Sequence, residues 1–282
     1  MHKKKLMDLQ LFAHEPQERY SSMVLAKLRK TAIFVSLFNN RYEGTPTAGA
    51  VKIPVRDTEV VVGDYNKSTG GELSEGSTTY ETLNIDKDKY VNELIDGYDA
   101  ASVPDNLVAD RLDSAGYSMG ITLDSELVNL LVTDGTASEN TNALTKSNIY
   151  DAVVDEITPL KKLGLRVEEM WLAVTNETYA TLLKCPEFVR ATQMGDDVVK
   201  NGQVGRIAGL DVYETNNIPD ESKVDFVIGN KVFCHFVDEW KVPVAVNDLK
   251  DAKHIGSSAV QGRRVYGRKI SRINTVRVKK HA

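Results

Sequence analysis

Several stretches of this sequence have residue types and spacings that could do chemistry. Gly116-Tyr117-Ser118-Met119-Gly120 matches the GxSxG elbow, in which a serine hydroxyl attacks an acyl carbon. That elbow needs a strand running into a sharp turn before a helix. Val108, Leu112, Ala115 and Met119 repeat at helical spacing, which puts Ser118 in mid-helix. A serine hydrolase using Ser118 is therefore the remote alternative. The histidines His2, His14, His235, His254 and His281 are scattered, without an HExxH, and Cys185 and Cys234 form no CxxC. Asp86-Lys87-Asp88 opens like a calcium loop, but Tyr90 and Val91 stand where an oxygen ligand and a glycine belong. Ser68-Thr69-Gly70-Gly71 lacks the spacing of a phosphate loop and no helix pattern follows it, so it reads as a loop tip. No catalytic residue, metal ligand or cofactor is expected.

Charge is more informative. Between Arg263 and Lys280 stand Arg263, Arg264, Arg268, Lys269, Arg272, Arg277, Lys279 and Lys280, with no acid among them. Between 57 and 81 the balance reverses: Asp57, Glu59, Asp64, Glu72, Glu75 and Glu81 face Lys67 alone. The basic run has three readings: sequence-independent phosphate contacts, pairing with the acidic segment of a neighbour, or a solvated face. The whole chain carries 35 basic and 40 acidic residues, a net charge of -5, which excludes a generic nucleic-acid binder.

These residues must be positioned by elements that the pattern also predicts. The 282 residues are 41% hydrophobic and 27% charged, the composition of one large or two medium folded domains. Two distant cysteines fit a chain folded in a reducing compartment without disulfides. The start, Lys3-Lys4-Lys5-Leu6 to Ala13, imitates a signal peptide, but Asp8 and Gln10 interrupt its apolar stretch. No secretion and no membrane span are expected.

Met23, Leu25, Leu28, Ile33, Phe34, Leu37 and Phe38 predict short amphipathic helices in an extended arm. Ala50 to Val55 and Val60 to Val62, followed by Gly63, Gly70, Gly71 and Gly76, predict a long hairpin with a flexible tip. Its return strand is expected from Leu83 through Val91 and on to Tyr98. Ser102 with Asp105 reads as a capping box for a helix ending at Asp134-Gly135. Gly116 and Gly120 inside that helix each cost about 1 kcal/mol against alanine, so a close backbone neighbour is expected there. Next come a helix from Ile149 to a break at Pro159, a strand Met170 to Val174, a short helix capped by Thr175, a strand pair within Arg206 to Tyr213, and a strand Val224 to Gly229. The fold class is α+β.

The order of these segments resembles the major capsid proteins of tailed bacteriophages, the Hong Kong 97-type fold shared with encapsulins. The resemblance is carried by Met7-Asp8-Leu9-Gln10-Leu11-Phe12-Ala13, by Ile85 to Tyr90 with Ile95-Asp96-Gly97-Tyr98-Asp99-Ala100-Ala101 ahead of a long helix, by Gly205 to Tyr213 with Asn217-Ile218-Pro219, and by Val265 to Ile270. It implies an N-terminal arm over 1–45, an extended β-hairpin loop over 46–84, and a peripheral domain over 85–146 with a spine helix at about 103–134. An axial domain over 147–260 and a C-terminal strand over 261–282 returning to the peripheral domain complete the expectation.

The implied function is a non-enzymatic coat subunit that assembles into hexamers and pentamers of an icosahedral shell around double-stranded DNA. An encapsulin-like compartment is the alternative. Implied partners are other copies of the chain, a portal, packaged DNA held without sequence preference and a decoration protein. A spine helix starting near residue 103 leaves no room for a large scaffolding segment, so a separate scaffolding protein is expected. The implied location is the virion, assembled in the host cytoplasm. Asp57, Glu59, Asp64, Lys67, Glu72, Glu75, Glu81, Arg263, Arg264, Arg268 and Lys269 are the expected intersubunit residues. A covalent cross-link through Lys67, made by some family members, is not expected.

Overall fold

The computed structural model describes residues 30–41, 49–55, 60, 62–71, 79–102, 107–185, 203–250 and 253–282. Its axis is helix α3, Leu107–Asp134, whose 28 residues span about 42 Å at the helical rise of ~1.5 Å. Ala115, Leu123, Leu127, Val128 and Leu131 form its buried stripe. The helix stops at Gly135, where a side chain would collide with the Leu131 carbonyl and with Val276 and Val278. A short helix α2, Gly97–Ser102, precedes it. Ser102 is the last residue of α2, and Asp105, its partner in the expected capping box, lies outside the described residues. The expected close neighbour at Gly116 and Gly120 is absent: among the described residues, both face open space.

Two sheets flank this axis. Strands β3 (Lys87–Ile95), β9 (Cys234–Asp248) and β10 (Ser258–Ile270) form an antiparallel sheet in the order β3-β10-β9. Its inner face packs Ile95 and Val260 on Ala115 of α3. Among the described residues, the hairpin strands β1 (Ala50–Val55) and β2 (Thr79–Asn84) pair only with each other, Ala50 opposite Asn84. The return strand expected from Leu83 to Tyr98 is therefore two strands with different partners, because the chain leaves β1 at Ile85-Asp86 and joins β10. At the root of the hairpin, Ile53 and Leu83 are buried against Val237.

The second sheet has six strands in the order β4-β11-β8-β5-β7-β6: Thr136–Ala137, Arg277–Lys280, Val224–Asn230, Met170–Val174, Leu210–Glu214 and Gln203–Ile207. Every residue of β5 and β8 is buried, as expected for central strands covered on both faces. The expected β6–β7 turn is present, with Ala208 and Gly209 at φ 50° and 88°. Helix α5, Asn176–Leu182, begins at Thr175, whose hydroxyl accepts the Thr178 N–H. Helix α4, Ile149–Lys162, covers one face and passes through Pro159 instead of ending there. Pro159 lies in the last turn, where its carbonyl still accepts the Leu163 N–H, so the loss of one amide does not stop the helix.

The core between axis and sheets is completed by the N-terminal segment. Ile33, Phe34, Leu37 and Phe38, around helix α1 (Phe34–Leu37), pack with Leu123 and Leu127 of α3, Trp171 of β5 and Phe236 of β9. Met23, Leu25 and Leu28, expected to continue that pattern, lie outside the described residues. No helix among the described residues is long and apolar enough to cross a membrane.

Candidate functional site

Ser118 is exposed within α3, and its carbonyl accepts the Thr122 hydroxyl, so the GxSxG match is a helical segment. Among the described residues no group of His, Cys, Asp and Glu could hold a metal ion. His235 is buried, 2.9 Å from the Ser271 hydroxyl, and burial lowers its pKa to about 4. His281 sits 2.8 Å from Asp225. Cys234 is buried too, and burial pushes its thiol up to about 12.

The basic run is consumed largely within the chain. Four of its members, Arg263, Arg264, Arg268 and Lys269, lie on β10, whose alternation sends side chains to both faces of the sheet. Arg263 makes a two-pronged contact with Asp88 of β3, at 2.9 and 2.5 Å, and lies over the Trp240 ring. That hydrogen-bonded pairing holds the Asp88 carboxyl below its ordinary range. Arg264 forks onto Asp238 of β9 at 2.6–3.0 Å and covers Phe236. Arg268 reaches Glu126 of α3 at 3.3 Å, and Lys89 of β3 meets the other oxygen of that carboxylate at 2.8 Å. Lys269 pairs with Glu81 at the hairpin root, 3.1 Å away, and donates to the Thr82 carbonyl. Arg272 lies over Phe233, Arg277 bonds Glu156, and buried Lys279 donates to the carbonyls of Asn140 and Asn142. The run therefore sews the C-terminal strands to β3, β9, α3 and the hairpin root.

Among the described residues, the acidic hairpin is brought to these bases only at Glu81. Asp57, Glu59, Glu72 and Glu75 lie outside the described residues. Asp64 and Lys67 are exposed at the tip, where Gly70 N–H donates to the Asn66 carbonyl and closes a tight turn. The apolar residues of the tip are uncovered by the described parts of the chain: Val62 is 93% exposed and Tyr65 76%.

A second uncovered surface was not legible from charge or motif. On the outer face of the three-stranded sheet, Tyr90, Arg263 and Val242 stand in one row and Asp88, Val265 and Trp240 in the next. Tyr90 is 74% exposed, and Leu94, Trp240 and Val242 are exposed as well. The available signal was that Lys87–Ile95 carries apolar residues on both faces, Val91 and Ile95 on the inner one and Tyr90 and Leu94 on the outer one. Asp124 is the other residue missed. It is an acid on the apolar stripe of α3, fully buried, with the Ile33 and Phe34 N–H groups and the Asn217 amide as donors.

Among the described residues, the geometry leaves the GxSxG match inside a helix and gathers no metal-ligating group. It presents instead a hairpin standing clear of the body and a broad apolar sheet face. The family model for "Phage capsid protein" matches residues 81–277. The chain is similar to a solved chain from Mycobacterium phage Che8, at 23% identity and TM-score 0.75, over 95% of this chain and 98% of that one. It is also similar to the capsid structure of cyanophage P-SCSP1u, at 14% identity and TM-score 0.72 over 93% and 92%. The mature capsid of bacteriophage PhiM1 gives 18% identity and TM-score 0.67 over 94% and 91%. No curated protein matches the chain. With spine helix, three-stranded sheet, hairpin and six-stranded sheet in the order of the Hong Kong 97-type fold, the chain belongs to the phage capsid protein family.

Proposed function

We propose that this capsid protein, the major coat subunit of an icosahedral virion shell, closes that shell by lending its hairpin and N-terminal arm to neighbouring copies. In this reading 1–45 is the arm, 46–84 the extended loop, 85–146 with 261–282 the peripheral domain, and 147–260 the axial domain. Hexamers and pentamers enclose double-stranded DNA, without enzymatic chemistry. The observation that carries the reading is the exposure of Val60, Val62 and Tyr65 on a hairpin whose tip has no cover in the described chain. Apolar surface of this kind gains about 25 cal/mol per Å² when another molecule covers it. The outer sheet face around Tyr90 and Trp240 offers matching apolar area, and Arg263 beside it suits the acids of the hairpin.

Many modest contacts of this type then add through multivalency. Assembly in the host cytoplasm, with a separate scaffolding protein, a portal and a decoration protein as partners, completes the proposal. Replacing Val60, Val62 and Tyr65 together with serine tests it. The variant should keep its circular dichroism spectrum and lose most of its particle yield on a sucrose gradient. Wild-type yield from that variant would refute the role given to the hairpin.

A further inference from the structure

Three segments distant in sequence meet on one carboxylate. Asp124 of α3 accepts the N–H groups of Ile33 and Phe34 on Oδ1, at 2.8 and 2.7 Å, and the Asn217 side-chain amide on Oδ2, at 2.6 Å. The same amide also donates to the Thr31 carbonyl at 2.9 Å, and the Asn217 backbone N–H donates to the Thr215 hydroxyl. Asp124 and Asn217 are buried, while Thr31 lies at the exposed rim of the site. Burying a carboxylate without a counter-charge is costly unless every acceptor position is served. Burial accordingly raises the Asp124 pKa, and the three N–H donors work against that rise.

The segment held here is a strap. Beyond Asp124 it is tied by Trp171 Nε1 to the Leu37 carbonyl at 3.0 Å, and by Asn39 to the edge of β9 through Cys234 and Phe236. In chain order it links the N-terminus to the hairpin. The turn on the other side of the carboxylate, Thr215 to Ile218, leads from β7 towards β8.

We propose that Asp124 is a latch that makes attachment of the strap and ordering of the 215–218 turn a single event. If the strap leaves, Oδ1 loses both donors in a dry site. The carboxylate must then reorient or admit water, and its bond to Asn217 goes with it. If the turn leaves, Oδ2 is orphaned in a buried position, the Thr31 carbonyl loses its donor to the turn, and the strap loosens in turn. A force on either end of the strap therefore reaches the turn. The coupling is a property of the folded subunit and stands independently of the role proposed for the hairpin.

Hydrogen exchange on the full-length chain tests this, with variants compared in the same assembly state. Asn217 touches neither the Ile33 nor the Phe34 amide. Asn217→Ala should nevertheless speed exchange at both by at least tenfold, while Leu172 and Ile228 in the central strands keep their wild-type rates. Asp124→Asn should speed exchange at the strap and at Asn217 together. If Asp124→Asn does not fold, Asn217→Ala alone decides. Wild-type exchange at Ile33 and Phe34 in Asn217→Ala would overturn the proposal. Equal acceleration at Leu172 and Ile228 would also overturn it, because that is global opening.

Discussion

At the scale of single residues, the guanidinium groups of β10 separate into those that hold the fold and those that do not. Arg264 is mostly buried, forked onto Asp238 and stacked on Phe236. Arg264→Ala is expected to cost about 2 kcal/mol, seen as a lower urea midpoint. Arg263 and Asp88 are exposed, so Arg263→Ala should leave that midpoint unchanged. His235 makes a pH prediction. Its folded pKa, about 4, lies below the ordinary 6.5, so between those values the unfolded chain binds a proton that the folded chain refuses. Stability from this site is full above pH 6.5 and falls as pH drops towards 4, by about 3 kcal/mol. His235→Gln should lose that much less than wild type between pH 7 and 4 in parallel urea titrations. The sequence showed that the basic run was unusual. It could not show that the alternation of β10 deals those charges to carboxylates on four different elements, because cross-strand register is not written in local spacing.

Element-scale behaviour follows from α3. Leu127 is completely buried between the strap and the sheets, and Leu127→Ala should destabilise the subunit by about 3 kcal/mol in thermal or urea unfolding. Gly116 faces open space in the described chain, so Gly116→Ala should stabilise the subunit by about 1 kcal/mol. Helix α3, the strands β5 and β8, the Thr175 cap and the β6–β7 turn were all legible, because hydrophobic period, side-chain caps and a glycine turn are local signals. The boundary at Ile85-Asp86 was not, since Leu83 to Val91 stays extended while changing partner. Pro159 misled for a related reason: a proline removes the one amide bond that reaches back to the preceding turn, while the residues after it keep their own amides and carry the helix on to Lys162.

On the scale of the whole molecule, the lack of a core beneath the hairpin tip among the described residues was legible, because six acids and one lysine between 57 and 81 leave little to bury. The outer sheet face was not, since its apolar residues come from three strands far apart in sequence. Both surfaces lead to the same expectation, a subunit whose exposed parts are completed by copies of itself. The most direct measurement is the mass and shape of purified full-length protein by analytical ultracentrifugation and electron microscopy. The account predicts hollow closed particles of megadalton mass, whose yield rises steeply with protein concentration. A species that stays at the 31.2 kDa of one chain at every concentration, with the hairpin tip as protected from hydrogen exchange as the central strands, would contradict it.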